Sequence, residues 1–324
     1  MDGQLASSAG EFPHDSGHPV GISAISAKPS RLPSFFIATL VLVFALVVWG
    51  GIVRLSGSGL SIPTWPLAQG QIIPEPGKRV MIEFIHRVLA MTVGFCTLGL
   101  AIAVYASARY RRALGGMMAI ALLVLAIQIV MGGRVVLEEL GVQRVVAHLL
   151  LAFLFFALLL RMTLRAQDLA GGEDMPAAAG GAGGVKGLRA LSHSAAGLVF
   201  LQAGLGAWVS SSGASLACPD FPTCHGTLFP RMEGLVGIHY AHRLGAYLVF
   251  AVVLVLSIRA ASAPLPARAR WPLRLAGVLV ALQMLLGIGN VILAVPLAVS
   301  AGHLATALAL FGTLLVANHE LARL

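Results

Sequence analysis

Four histidines stand where a histidine is expensive. His86, His148, His242 and His303 each fall one or two turns inside a long apolar run, and an ionisable side chain in hydrocarbon is kept there for a functional reason. Their spacing sorts them into pairs: 62 residues separate His86 from His148, and 61 separate His242 from His303. Arginine follows the first member of each pair, as Arg87 and Arg243. Glutamine precedes the second member by 20 residues in both cases (Gln128 and Gln283), with Gly132 and Gly287 four residues further on. Two imidazoles from neighbouring helices at one depth can supply both axial nitrogens of a heme iron, and two such pairs imply two heme positions. The glycines would let a macrocycle or another helix come close. One membrane histidine alone reads as a hydrogen-bonded helix contact; four in matched pairs favour ligation. Zinc or copper fits less well, because no cysteine, carboxylate or third histidine joins either pair at ligand spacing.

The neighbours of these histidines divide the two pairs. Glu83 lies three residues before His86, and His239 lies three residues before His242, on the same helix face in each case. A carboxylate beside a heme can handle protons or position water; the plainer reading of Glu83 is a bond to a neighbouring helix or to the aqueous boundary. Arg87 and Arg243 could pair with heme propionates or snorkel to the headgroups. His14, His18, His193 and His319 fall in tails or at the other ends of helices and are assigned no special role; His225 is left in a loop. Cys218 and Cys224 bracket Pro-Asp-Phe-Pro-Thr. An oxidising compartment would favour a disulfide there, the alternative being two free thiols. The matching positions in the other half are Ile62 and Ala68, and Cys96 reads as a packing residue within a helix.

The elements that must position these residues are membrane spans. Of 324 residues, 58% are hydrophobic and 11% charged, far from the near-even apolar share and quarter-charged composition of soluble domains. Apolar runs occupy roughly 34–53, 80–107, 114–136, 144–164, 188–211, 235–258, 272–294 and 297–317. Each is close to the ~20 residues a helix needs to span the bilayer, and no ten-residue alternation suggests a barrel. The net charge of +9 is spread over short loops, which argues against nucleic-acid binding. Arg109, Arg111, Arg112, Arg161, Arg165, Lys186, Arg189, Arg259, Arg268, Arg270 and Arg274 fall in one set of connections. The positive-inside rule puts that set and both termini in the cytoplasm, and the histidines near the opposite face.

The expected architecture is therefore all-α and polytopic, with eight transmembrane helices forming two tandem, pseudo-symmetric four-helix bundles. Residues 1–33 are expected to be a disordered cytoplasmic tail, 34–165 the first half, 166–186 a flexible cytoplasmic linker and 187–324 the second half. The halves match beyond the histidines: Ser58-Gly59-Leu60-Ser61 pairs with Ser212-Gly213-Ala214-Ser215, and Pro63-Thr64-Trp65-Pro66 with Pro219-Asp220-Phe221-Pro222. This is the mark of a parallel repeat.

Taken in order, Gly50-Gly51-Ile52-Val53-Arg54-Leu55, Ser58-Gly59-Leu60, Trp65-Pro66, Glu83-Phe84-Ile85-His86-Arg87, Cys218 through Gly226, His242-Arg243 and His303 resemble the heme A synthase family of cytochrome oxidase biogenesis over nearly the whole chain from residue 34. The resemblance implies oxidation of a methyl group of heme O to a formyl group by successive hydroxylations, in a bacterial cytoplasmic membrane. It implies that His242 and His303 hold a resident heme b, that His86 and His148 hold the substrate heme O, and that Glu83 is the acidic residue needed for activity. Many bacterial members carry a cysteine pair in the first extracytoplasmic loop; this sequence has none there, so a mechanism that uses those thiols cannot operate. Heme O synthase and an electron donor are the partners such an enzyme would call for. Two other functions use the same histidines, a diheme b-type electron-transfer cytochrome and a non-enzymatic heme carrier. The first usually places its hemes on both sides of the membrane, and the second gives Glu83 no role.

Overall fold

In lipid a backbone N–H or C=O has no partner but another backbone group, and an apolar run of this length satisfies that demand as a helix. The computed structural model describes residues 31–65, 67, 70–172 and 183–324. Its described residues form eight α-helices: α1 (Leu32–Leu55), α2 (Lys78–Ala106), α3 (Ala108–Leu137), α4 (Val142–Ala170), α5 (Gly183–Ser211), α6 (Gly234–Ser262), α7 (Ala267–Ile292) and α8 (Leu297–Leu321). All eight are long and apolar enough to cross a membrane. The protein is an all-α, multi-pass membrane protein.

Several helices outrun their apolar windows. Beyond residue 164, α4 carries Arg165, Ala166, Gln167, Leu169 and Ala170, good helix formers that need no lipid. It therefore continues to Ala170, and α5 begins at Gly183. The expected linker 166–186 is thus helical at both ends, and its residues 173–182 lie outside the described residues, as do His14, His18 and the rest of the expected tail up to residue 30. Pro66 and Ala68 of the first loop lie outside them too.

In the middle of the bundle α1 touches α4 and α8, α4 touches α5 and α8, and α5 touches α8. Around this centre α2 and α3 close a ring from α1 to α4, and α6 and α7 close another from α5 to α8. Phe311 on α8 packs against Phe153 on α4 and Phe200 on α5, with ring centroids 5.6 and 6.0 Å away. At the far end from the four paired histidines, buried Asp168 on α4 accepts from Arg323 (Oδ1, 2.8 Å), and His319 Nε2 lies 3.2 Å from its Oδ2. His319, which the sequence marks for no special role, thus helps tie α4 to the end of α8. Outward-facing positions are apolar: Phe95, Ile102, Val278 and Leu285 expose 65–72% of their surface, as side chains against lipid do.

Two tight turns set the register of the site. Between α3 and α4, Glu139 and Leu140 take φ of 54° and 59°; between α7 and α8, Ala294 and Val295 take 53° and 59°. Consecutive left-handed residues with side chains cost on the order of 1–2 kcal/mol each. The bonds Leu140 N–H to Val135 O (2.9 Å) and Val295 N–H to Asn290 O (2.7 Å) close the two reversals. Because the reversals are alike, His148 follows the start of α4 (Val142) by six residues, as His303 follows the start of α8 (Leu297). His86 and His242 likewise follow Lys78 and Gly234, the first residues of α2 and α6, by eight.

Candidate functional site: a cavity lined by four histidines

The four paired histidines, with Glu83, Arg87 and Arg243, all line one cavity of about 970 Å³ between the helices. That is the upper end of the usual range for small-molecule sites. Much of the remaining wall is aliphatic, with Val47, Val93, Leu149 and Leu304 among the lining residues.

Each imidazole lies against a glycine of a neighbouring helix. A Cβ built on Gly50 (α1) would stand 3.0 Å from His86 Cε1, and one on Gly206 (α5) 3.0 Å from His242 Cε1. On Gly132 (α3) and Gly287 (α7) it would stand 3.3 Å from His148 and 3.2 Å from His303. A methyl group at any of the four would push the ring.

Polar contacts to the rings are few. Gln128 Nε2 donates to the carbonyl of His148 (3.0 Å), and Gln283 Nε2 lies 3.2 Å from His303 Nε2. Gln202, which the sequence reading passed over, donates to the carbonyl of His242 (2.7 Å) and sits 2.9 Å from His242 Nδ1. Its only signal in the sequence is its place four residues before Gly206, where the first half has Leu46 four residues before Gly50. Among the described residues the buried Nδ1 atoms of His86, His148 and His303 and the Oε1 atoms of Gln128 and Gln283 have no hydrogen-bond partner. An unpaired buried polar atom costs about 1–3 kcal/mol and calls for an explanation. Among the described residues, no three His, Cys, Asp or Glu side chains converge as a bare metal site would need. Four imidazoles on glycine cradles around an apolar cavity suit a large, mostly apolar group whose metal would take histidine nitrogens. The residues present fit heme.

A polar collar joins the cavity to the loops, built alike in both halves from different residues. In the first half, buried Glu83 accepts from the backbone N–H of Ile62 (Oε2, 2.8 Å) and from Arg87 (Oε1, 2.7 Å). Arg87 also donates to the carbonyls of Ile62 (2.7 Å) and Thr64 (2.9 Å). In the second half Arg243 donates to the carbonyls of Cys218 (2.7 Å) and Thr223 (2.8 Å), and its Nε lies 3.2 Å from His239 Nε2. A guanidinium only donates, so His239 Nε2 accepts, and Nδ1 lies 2.9 Å from the carbonyl of Ala214 and 3.3 Å from the backbone nitrogen of Cys218. Arg87 and Arg243 are thus clamped to loop backbone instead of extending toward headgroups.

Cys218 and Cys224 form a disulfide. Within that loop the Asp220 carboxylate accepts from Thr223 Oγ1 and from the N–H groups of His225 (2.7 Å) and Gly226 (3.0 Å). These donors, led by the Thr223 hydroxyl, hold its carboxyl below the usual carboxylate range. The first-half loop has no such tie; instead Trp65 packs its ring against Gly133 of α3, where a Cβ would meet it at 3.1 Å.

The family model for cytochrome oxidase assembly proteins (COX15-CtaA) matches residues 34–80 and 75–315. The chain is 29% identical over 330 residues to a heme A synthase of Nitrosospira multiformis, covering 87% of this chain and 91% of that one. It is 33% identical over 231 residues to a heme A synthase of Symbiobacterium thermophilum (68% and 72% covered) and 28% identical over 346 residues to one of Rhizorhabdus wittichii (92% and 96%).

Proposed function

The chain belongs to the cytochrome oxidase assembly protein family, and from that premise we propose that it is a heme A synthase, an oxidoreductase that converts a methyl group of heme O to a formyl group by successive hydroxylations. The observation that carries this reading is an apolar cavity lined by all four histidines, with, among the described residues, a buried carboxylate three residues before His86 and a histidine in the equivalent place before His242.

In this reading the chain is two tandem four-helix halves with different tasks. His86 and His148 hold the iron of the substrate heme O, which enters from the bilayer because its farnesyl chain is lipid-soluble. The histidines fix the ring, and Gly50 and Gly132 leave room beside the imidazoles. Glu83 takes and returns protons at the first-half site, the work of a positioned general acid–base, and Arg87 orients the carboxylate by holding Oε1. The Ile62 N–H on Oε2 fixes it from the other side. In the second half His242 and His303 hold a resident heme b, which supplies one-electron relay when bound. The membrane is the bacterial cytoplasmic membrane, with both termini in the cytoplasm and the cavity near the opposite face. Heme O synthase as donor of substrate and a separate electron donor complete the partners.

The test is to purify the protein from cells that also make heme O, extract its hemes and identify them by chromatography and mass. Heme b together with heme O, heme A or a hydroxylated intermediate is the expected result. Two equivalents of heme b alone, unchanged when Glu83 is replaced, would overturn the proposal in favour of an electron-transfer cytochrome.

A further inference from the structure

Arg54 lines the cavity near the end of α1 and is the arginine there least committed to protein partners. Arg87 is neutralised by Glu83 and holds two loop carbonyls, while each nitrogen of Arg243 faces a protein acceptor. Among the described residues the Arg54 guanidinium makes one side-chain hydrogen bond, from Nη1 to Ser210 Oγ at 2.5 Å, and has no carboxylate partner. A guanidinium carries five donors in a planar fork suited to a carboxylate. A cation so poorly matched beside an apolar cavity implies an anion brought by the ligand.

The place of Arg54 narrows that anion. Arg54 follows Gly50, the glycine on which His86 lies, by four residues; Ser210 follows Gly206, the glycine on which His242 lies, by four. Both therefore stand one helical turn, about 6 Å along the axis, from the level of the imidazoles, on the side of the loops. The Arg54–Ser210 bond runs between equivalent positions of the two halves, so the guanidinium stands between the two histidine pairs. A tetrapyrrole held by either pair would turn its charged propionates away from the hydrocarbon core and toward this level.

Resting on the reading above, we infer that Arg54 is the carboxylate receptor of the cavity, binding porphyrin propionates, with Ser210 holding it between the two sites. The roles of Arg87 and Arg243 are then to fasten the loops.

The experiment titrates the full-length protein, prepared free of heme in detergent, with iron protoporphyrin IX and with its dimethyl ester, following the Soret band. The wild type should bind the free acid at least about 10-fold more tightly than the diester. Arg54→Gln should weaken the free acid by about 10–100-fold, the scale of a lost charge-assisted hydrogen bond, and leave the diester unchanged. Arg54→Lys, which keeps the charge and loses the fork, should retain part of the preference. Arg54→Gln with full preference for the free acid would overturn the inference, as would a wild type that binds both forms alike. If Arg54→Gln binds neither form, Arg54→Lys and Ser210→Ala decide: an unchanged preference in both overturns it. A wild type that binds neither form sinks the heme reading itself, a different failure from loss of discrimination.

Discussion

The two halves place the same backbone atoms in the same hands and differ in what the hands are made of. Glu83 and His239 each lie against the N–H of the matching loop residue, Ile62 or Cys218, and Arg87 and Arg243 each hold its carbonyl. The first collar, however, is a carboxylate–guanidinium pair, and the second is an imidazole under a guanidinium. The second loop is closed by a disulfide and pinned by Asp220. Below it His242 Nδ1 has Gln202, whereas His86 Nδ1 has no partner among the described residues and Leu46 stands in the glutamine's place. The second half thus has more ties around its loop and His242, and the first sets a carboxylate beside its histidines, a contrast that suits the proposed resident heme beside an exchanging substrate.

The sharpest way to break this comparison is to remove a histidine from each half. On the proposed assignment, His242→Ala should strip the second half's heme from the purified protein, an effect larger than the roughly 10–100-fold typical of losing a ligand's partner. His86→Ala should keep that heme and stop turnover. Heme content by absorbance checks both, and the reverse pattern would invert the assignment of the halves. Next in size, Glu83→Gln should lower the rate of heme A formation by about 100-fold or more, the usual contribution of a general acid–base, with both hemes retained. An unchanged rate would reduce Glu83 to a loop clamp. Gln202→Leu gives the second half the first half's residue; it should weaken retention of the resident heme by about 10–100-fold, measured as transfer to an apo-globin scavenger.

The smallest effect concerns pH. The Asp220 carboxyl is held below its ordinary value, so its contribution to the second loop is complete above the unfolded value of about 3.9 and is lost only as pH falls through the lower folded one. Amide exchange at His225 and Gly226 should therefore stay slow at pH 4 and quicken in stronger acid. Asp220→Asn should quicken it at neutral pH as well.

Some of this was legible residue by residue. Hydropathy is a property of successive side chains, and a helix closes its hydrogen bonds within the run, so the eight spans could be read off the chain. The correspondence of His86 with His242 and of His148 with His303 was legible because internal repetition is written in spacing, and Cys218 and Cys224 because six residues already hold them close. The four glycines beside the rings were only half legible: Gly132 and Gly287 carry a spacing signal, but nothing marks Gly50 and Gly206 as the surfaces on which His86 and His242 lie. The clamping of Arg87 and Arg243 to loop carbonyls, the contacts of Gln202 and the His319–Asp168 pair depend on residues 20 to 151 positions apart. The Arg54–Ser210 bond joins residues 156 apart. The sequence by itself determined the spans and which side chains could carry chemistry, since those are local and periodic properties. Only the packing of the helices decided that the four histidines share one cavity and that Arg54 meets Ser210 beside it, because such partners are chosen by proximity in space.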